Sequence, residues 1–79
     1  MTTAILSALP EEQSGLLAHL EQGQQQLHAG RVFWQGRLHG RSVVLALSGI
    51  GKVAAATTAT VLIERFRVAR IVFTGGAGG

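Results

Sequence analysis

The sequence has no cysteine, and it has no apolar stretch long enough to cross a membrane. Without cysteine, neither a disulfide bond nor a metal site with thiolate ligands can form. The apolar run that begins at Ala4 is interrupted by Ser7 and stopped by Pro10, well short of the roughly 20 residues that a membrane span needs. Residues 1–3 lack the basic region with which a signal peptide starts. We therefore expect a cytoplasmic enzyme or binding module with no membrane partner.

Charged residues are also scarce: they make up only 14% of the chain, against 47% hydrophobic residues, a balance typical of a globular protein. Basic residues outnumber acidic ones and give a formal net charge of +3 and a pI near 11.3. The arginines form no basic run and alternate with no aromatic side chains that could stack on bases; they are Arg31, Arg37, Arg41, Arg65, Arg67 and Arg70. We interpret them as solvated surface residues and predict no nucleic-acid partner.

Residues 48–79 predict a parallel strand–helix–strand unit with the apolar strand 43–47 before them. The glycines in residues 48–52 allow the chain to turn out of that strand. The helix that follows has one apolar face with a period of 3.6 residues, formed by Ala55, Ala59, Leu62 and Phe66. Residues 71–73 read as a strand buried on both faces, and residues 74–79 form a second glycine turn. Both turns would lie at the carboxyl ends of the strands, where such sheets bind ligands.

The first half of the chain predicts a central strand at residues 4–9 and then a helix that begins at Pro10. The buried stripe of that helix consists of Leu16, Leu17 and Leu20. The polar residues 22–26 are expected to end the helix as a loop without chemistry of its own. Strands at residues 31–35 and 42–47 would form a hairpin with His39-Gly40 as its turn. The predicted order is strand, helix, strand, strand, helix, strand.

Several ligand-binding motifs can be tested and rejected. Gly51-Lys52 does not form a P-loop, because Ala46 stands where the first glycine is needed and Val53 where a serine or threonine is needed. Residues 76–78 begin like a dinucleotide fingerprint, but the sequence ends before the position of the third glycine, so the match is weak. The histidines lack the spacing of a zinc site; they are His19, His28 and His39. The sequence therefore predicts no metal and no cofactor.

Glu11 and Glu12 allow two interpretations. Acidic residues in the first turn of a helix interact favourably with its positive pole, which requires no function. Both glutamates also follow the first strand, close to where the loops after Ser48 and Thr74 should converge, and a carboxylate there can orient and deprotonate water. The residues alone leave both interpretations open.

Three segments together resemble the amino-terminal portion of the 5'-methylthioadenosine/S-adenosylhomocysteine nucleosidases: ALPEE at residues 8–12, SGIGKVAAA at 48–56 and FTGGAGG at 73–79. The resemblance implies an α/β, nucleoside phosphorylase-like three-layer fold with a mixed, mostly parallel central sheet. It also implies a homodimer and hydrolysis of the bond between adenine and a 5'-thioribose, as in methionine salvage. Residues 1–79 are too few to cover such a sheet, so we expect the amino-terminal part of a single domain, truncated after Gly79 and inactive alone.

The resemblance also implies roles for particular residues. Glu12 would be the catalytic group that activates the attacking water. Substrate-binding residues would lie on three loops, with Ala8, Leu9 and Ile50 beside the ribose and thioalkyl group, and Gly76, Ala77 and Gly78 beside the nucleoside. The acid that protonates the purine would belong to a later part of the domain.

Three alternatives remain. A nucleoside phosphorylase would need an arginine near the first strand end to bind phosphate, whereas Glu11 and Glu12 would repel it. A futalosine hydrolase would share the fold and the use of water. A non-catalytic fragment that binds a nucleoside is the third alternative.

Overall fold

A computed structural model describes residues 1–48 and 52–74, without the side chains of residues 52–55. The elements in chain order are β1 (Thr3–Ser7), α1 (Pro10–Leu17), β2 (Glu21–His28), β3 (Arg31–Leu38), β4 (Arg41–Leu47), α2 (Lys52–Arg65) and β5 (Arg70–Thr74). The strands form one sheet in the order β2-β3-β4-β1-β5. Within the described residues, none of the helices is both long and apolar enough to cross a membrane.

The sheet is mixed, as expected. The central strand β1 is parallel to β4 and to β5, while β3 is antiparallel to both β2 and β4. The expectation of a mostly parallel sheet is therefore wrong for the described residues, where two of the four pairings are antiparallel. The antiparallel pairings have a local cause, because two-residue turns connect β2 to β3 and β3 to β4. The φ angles are positive in both turns: 53° and 73° at Ala29-Gly30, and 52° and 78° at His39-Gly40. Such turns connect antiparallel neighbours.

The polar segment predicted as a loop is the strand β2. Its glutamines are mostly exposed because β2 lies at the edge of the sheet, where backbone pairing with β3 needs no apolar side chains. The preceding helix is shorter than predicted, since α1 ends at Leu17. The amides of His19 and Leu20 then bond three residues back, which tightens the last turn. Leu20 still packs beside the helix against the sheet.

The helices cover opposite faces of the sheet. Residues on the α2 side form one buried cluster: Ala4, Leu6, Phe33, Val44, Ala46 and Leu62. Residues on the other side form a second cluster against which the leucines of α1 pack: Leu38, Val43 and Leu45. The apolar face predicted for α2 is confirmed at Leu62, which is fully buried, and at Phe66, which packs against Phe33 with 5.4 Å between the ring centroids.

The prediction that the last strand is buried on both faces is wrong for the described residues. β5 pairs only with β1 there and forms the other edge of the sheet. Val72 and Phe73 retain 38% and 67% of their exposure. An apolar run is compatible with a central or an edge position, and only the strand order distinguishes them.

Candidate active site

The carboxyl ends of β1, β4 and β5 meet at one edge of the sheet, as the sequence predicts. Ser7 is in register with Leu47 on one side and Thr74 on the other. The backbone N–H of Ser48 donates to the carbonyl of Ser7 at 3.0 Å. The Thr74 hydroxyl donates to the Ser7 hydroxyl at 3.1 Å, so side chains as well as backbones join these strand ends. We call this edge, at residues 7–12, 47–48 and 74, the ligand edge.

Glu12 lies in the first turn of α1 at the ligand edge. The helix begins at Pro10, and Leu9 before it is extended, with φ −122° and ψ 144°. The backbone N–H of Leu9 donates to Oε1 of Glu12 at 3.0 Å. Among the residues that the structure describes, Oε2 of Glu12 has no hydrogen-bond partner. One carboxylate oxygen is thus anchored to the backbone, and the other can accept a bond from water.

The other predicted site residues fall into two groups. Ala8 and Leu9 lie in the exposed connection between β1 and α1, and Leu9 is 53% exposed. Both are therefore accessible to a ligand at this edge. Ile50, Gly76, Ala77 and Gly78 lie outside the described residues, so their contacts with substrate stay predictions.

Two polar features at or next to the ligand edge were not predicted from the sequence. Gln13 follows Glu12 and is only 9% exposed, and its Nε2 atom has no hydrogen-bond partner in the described part of the chain. The burial of Gln13 could have been predicted from the sequence, because Gln13 shares a helical face with Leu16 and Leu17. The bond between Ser7 and Thr74 had no such signal, because the two residues are 67 positions apart.

The side chains of the described residues form no cluster of three possible metal ligands. His28 has structural neighbours instead: its ring lies 5.3 Å from that of Phe66, edge to face, and its Nε2 atom is 3.1 Å from Oε1 of Gln26. It therefore helps to join the end of α2 to the β2–β3 hairpin.

A sheet with helices on both faces and a carboxylate at the carboxyl ends of its parallel strands is typical of α/β proteins that bind small molecules at that edge. The chain belongs to the phosphorylase superfamily, which residues 2–79 match.

Individual relatives are similar over the whole chain. A 5'-methylthioadenosine/S-adenosylhomocysteine nucleosidase from Psychromonas ingrahamii is 47% identical over 79 residues, which are 100% of this chain and 34% of that protein. The structure of the Colwellia psychrerythraea nucleosidase of the same name was solved in complex with adenine. It matches this chain with a TM-score of 0.93 at 46% identity, and the match covers 100% of this chain and 33% of the Colwellia chain. The structure of futalosine hydrolase from Helicobacter pylori matches with a TM-score of 0.85 at 31% identity. That match covers 95% of this chain and 33% of the hydrolase chain. The chain thus spans about a third of the length of the curated relatives it matches.

Proposed function

We propose that residues 1–79 are the amino-terminal part of a nucleoside phosphorylase-like domain that hydrolyses the N-glycosidic bond of 5'-methylthioadenosine and S-adenosylhomocysteine. The products would be adenine and a 5'-thioribose. The observation that carries the proposal is the carboxylate of Glu12, held at the ligand edge by one oxygen with the other available to water. The similarity of the whole chain to nucleosidases supports the choice of substrate.

Glu12 would act as the general base in this reaction. Its carboxylate accepts a proton from water as the water oxygen bonds to the anomeric carbon of the ribose. The bond from that carbon to the purine nitrogen breaks, and its electron pair leaves with the purine, which takes a proton from an acid elsewhere in the domain. Ala8, Leu9 and Ile50 would line the ribose and the thioalkyl group, and residues 76–78 would border the nucleoside. The complete protein would be a cytoplasmic homodimer that recycles by-products of S-adenosylmethionine.

Futalosine hydrolysis is the second candidate, because the hydrolase of that name shares the fold of this chain. It would use the same water-activating carboxylate on a different purine-linked sugar. A phosphorylase is disfavoured by the ligand edge itself, where the described residues 7–12 offer Glu11 and Glu12 and no arginine.

The test is an assay of the complete protein that follows adenine release from 5'-methylthioadenosine, with and without phosphate, and identifies the sugar. Free methylthioribose formed without phosphate is the expected result. Sugar phosphate formed only with phosphate would mean a phosphorylase. No adenine in either condition, with hypoxanthine released from futalosine, would favour the second candidate.

A further inference from the structure

Two arginines that flank the His39-Gly40 turn and a third that is distant in sequence lie together at the sheet edge opposite Glu12. A cavity of about 590 Å³ lies at the amino ends of the parallel strands, and its lining includes Arg37, Arg41 and Arg70. Arg41 begins β4 and Arg70 begins β5, beside Thr3 at the start of β1. The five residues of β1 separate this cavity from the ligand edge by about 13 Å. We call it the arginine cavity.

The residues that line the arginine cavity carry positive charge and no negative charge. None of the residues that line it is acidic, and the three guanidinium groups form no ion pair in the part of the chain that the structure describes. Outside the lining, Glu21 lies opposite Arg37 in the β2–β3 pairing and offsets part of the charge of that one arginine. Because like charges that share a site repel one another, their convergence favours occupation by an anion.

The lining also indicates which anion fits. Guanidinium groups bind phosphate oxygens through paired hydrogen bonds. Thr3 and Ser42 line the same cavity, and the hydroxyl of Ser42 lies 3.1 Å from that of Thr2. Aromatic residues, on which a base could stack, do not occur in the lining, which lies wholly within the described residues. Three positive charges around a space of this size match a chain of phosphates better than a single phosphate.

We propose that the arginine cavity is a second binding site, separate from the ligand edge, for an oligophosphate chain. The site recognises the phosphates themselves. A nucleotide therefore binds through its phosphate chain, and its base adds no affinity. The proposal is independent of the proposed hydrolysis, because it uses other residues at the opposite edge of the sheet.

The probe is sodium tripolyphosphate, titrated calorimetrically into the complete protein at low ionic strength, where charge interactions are weakly screened. The test variant is Arg41→Gln/Arg70→Gln. The control is Arg65→Gln/Arg67→Gln, which removes the same charge from the end of α2, outside the cavity. Circular dichroism establishes that both variants are folded.

We expect the test variant to bind tripolyphosphate at least about tenfold more weakly than the parent, because two charge-assisted contacts are lost, and the control to stay within about threefold. ATP should bind no more tightly than tripolyphosphate. Absence of binding to the parent protein would overturn the proposal, as would equal weakening in both variants, which would indicate only a non-specific charge effect. Binding of ATP that is more than tenfold tighter than that of tripolyphosphate, and that the test variant loses, would overturn the assignment to a bare phosphate chain.

Discussion

The backbone N–H of Leu9 donates a hydrogen bond to Oε1 of Glu12 across the start of α1, with 3.0 Å between nitrogen and oxygen. This bond satisfies the backbone N–H of the N-cap residue, which has no partner within the helix. The side chain of Glu12 therefore helps to cap the amino end of α1. It also holds the carboxylate at the carboxyl end of β1. The structural and the catalytic interpretations of Glu12 are therefore compatible, and substitutions can separate them.

Glu12→Gln keeps an oxygen that can accept the bond from Leu9 but cannot take a proton from water. In the complete protein we expect adenine release to fall about 10²-fold or more, with the free energy of unfolding changed by less than about 0.5 kcal/mol. Glu12→Ala should lose activity to the same extent and also about 1 kcal/mol of stability, because the cap is removed. Initial rates and urea denaturation measure the two effects, and rates like those of the parent in Glu12→Gln would remove Glu12 from the mechanism.

Gln13→Leu should stabilise the protein by about 1 kcal/mol, because it replaces a buried donor that lacks a partner with an apolar side chain of similar size. Urea denaturation of the complete protein tests this. The matched control is Gln26→Leu. The side-chain amide of Gln26 already donates to Gln35 at 2.8 Å, so replacing Gln26 should not increase stability. A loss of stability in Gln13→Leu would show that the Gln13 amide is hydrogen-bonded in the complete protein.

Gly36→Ala should destabilise the protein by about 1–3 kcal/mol, because its new methyl carbon would lie 2.7 Å from the carbonyl oxygen of Glu21. Gly15→Ala is the opposite case. A methyl group there meets no atom within 4 Å, so the helical preference of alanine should add about 0.5–1 kcal/mol. Thermal denaturation compares the two variants. Equal stabilities would contradict the close packing of β2 and Leu20 against β3.

Gly40→Ala should cost about 1 kcal/mol, because Gly40 has a φ of 78° that alanine adopts with strain. His39→Asn should be neutral or slightly stabilising, since asparagine tolerates the positive φ of 52° at that position. Melting temperatures of the two variants test the turn. If Gly40→Ala left the melting temperature unchanged and His39→Asn lowered it, this turn geometry would be contradicted.

Much of the fold was predictable where apolar residues follow a clear period. The central strand β1, the β3–β4 hairpin with its His39-Gly40 turn, and the buried face of α2 at Leu62 are confirmed. The strand β2 was not predictable from its own residues. Glutamines and a glycine have little preference for strands, and this segment is extended because a tight turn folds it back onto β3.

The sequence by itself determined the local features of this protein. Pro10 begins α1, Glu12 falls in its first turn, and glycines permit the turns, because each depends on residues only a few positions apart. Only the tertiary structure decided which strands lie at the sheet edges, that Thr74 bonds to Ser7, and that Arg70 shares a cavity with Arg37 and Arg41. Those features depend on strand order and register, and pairing between distant segments is set by the packing of the whole sheet.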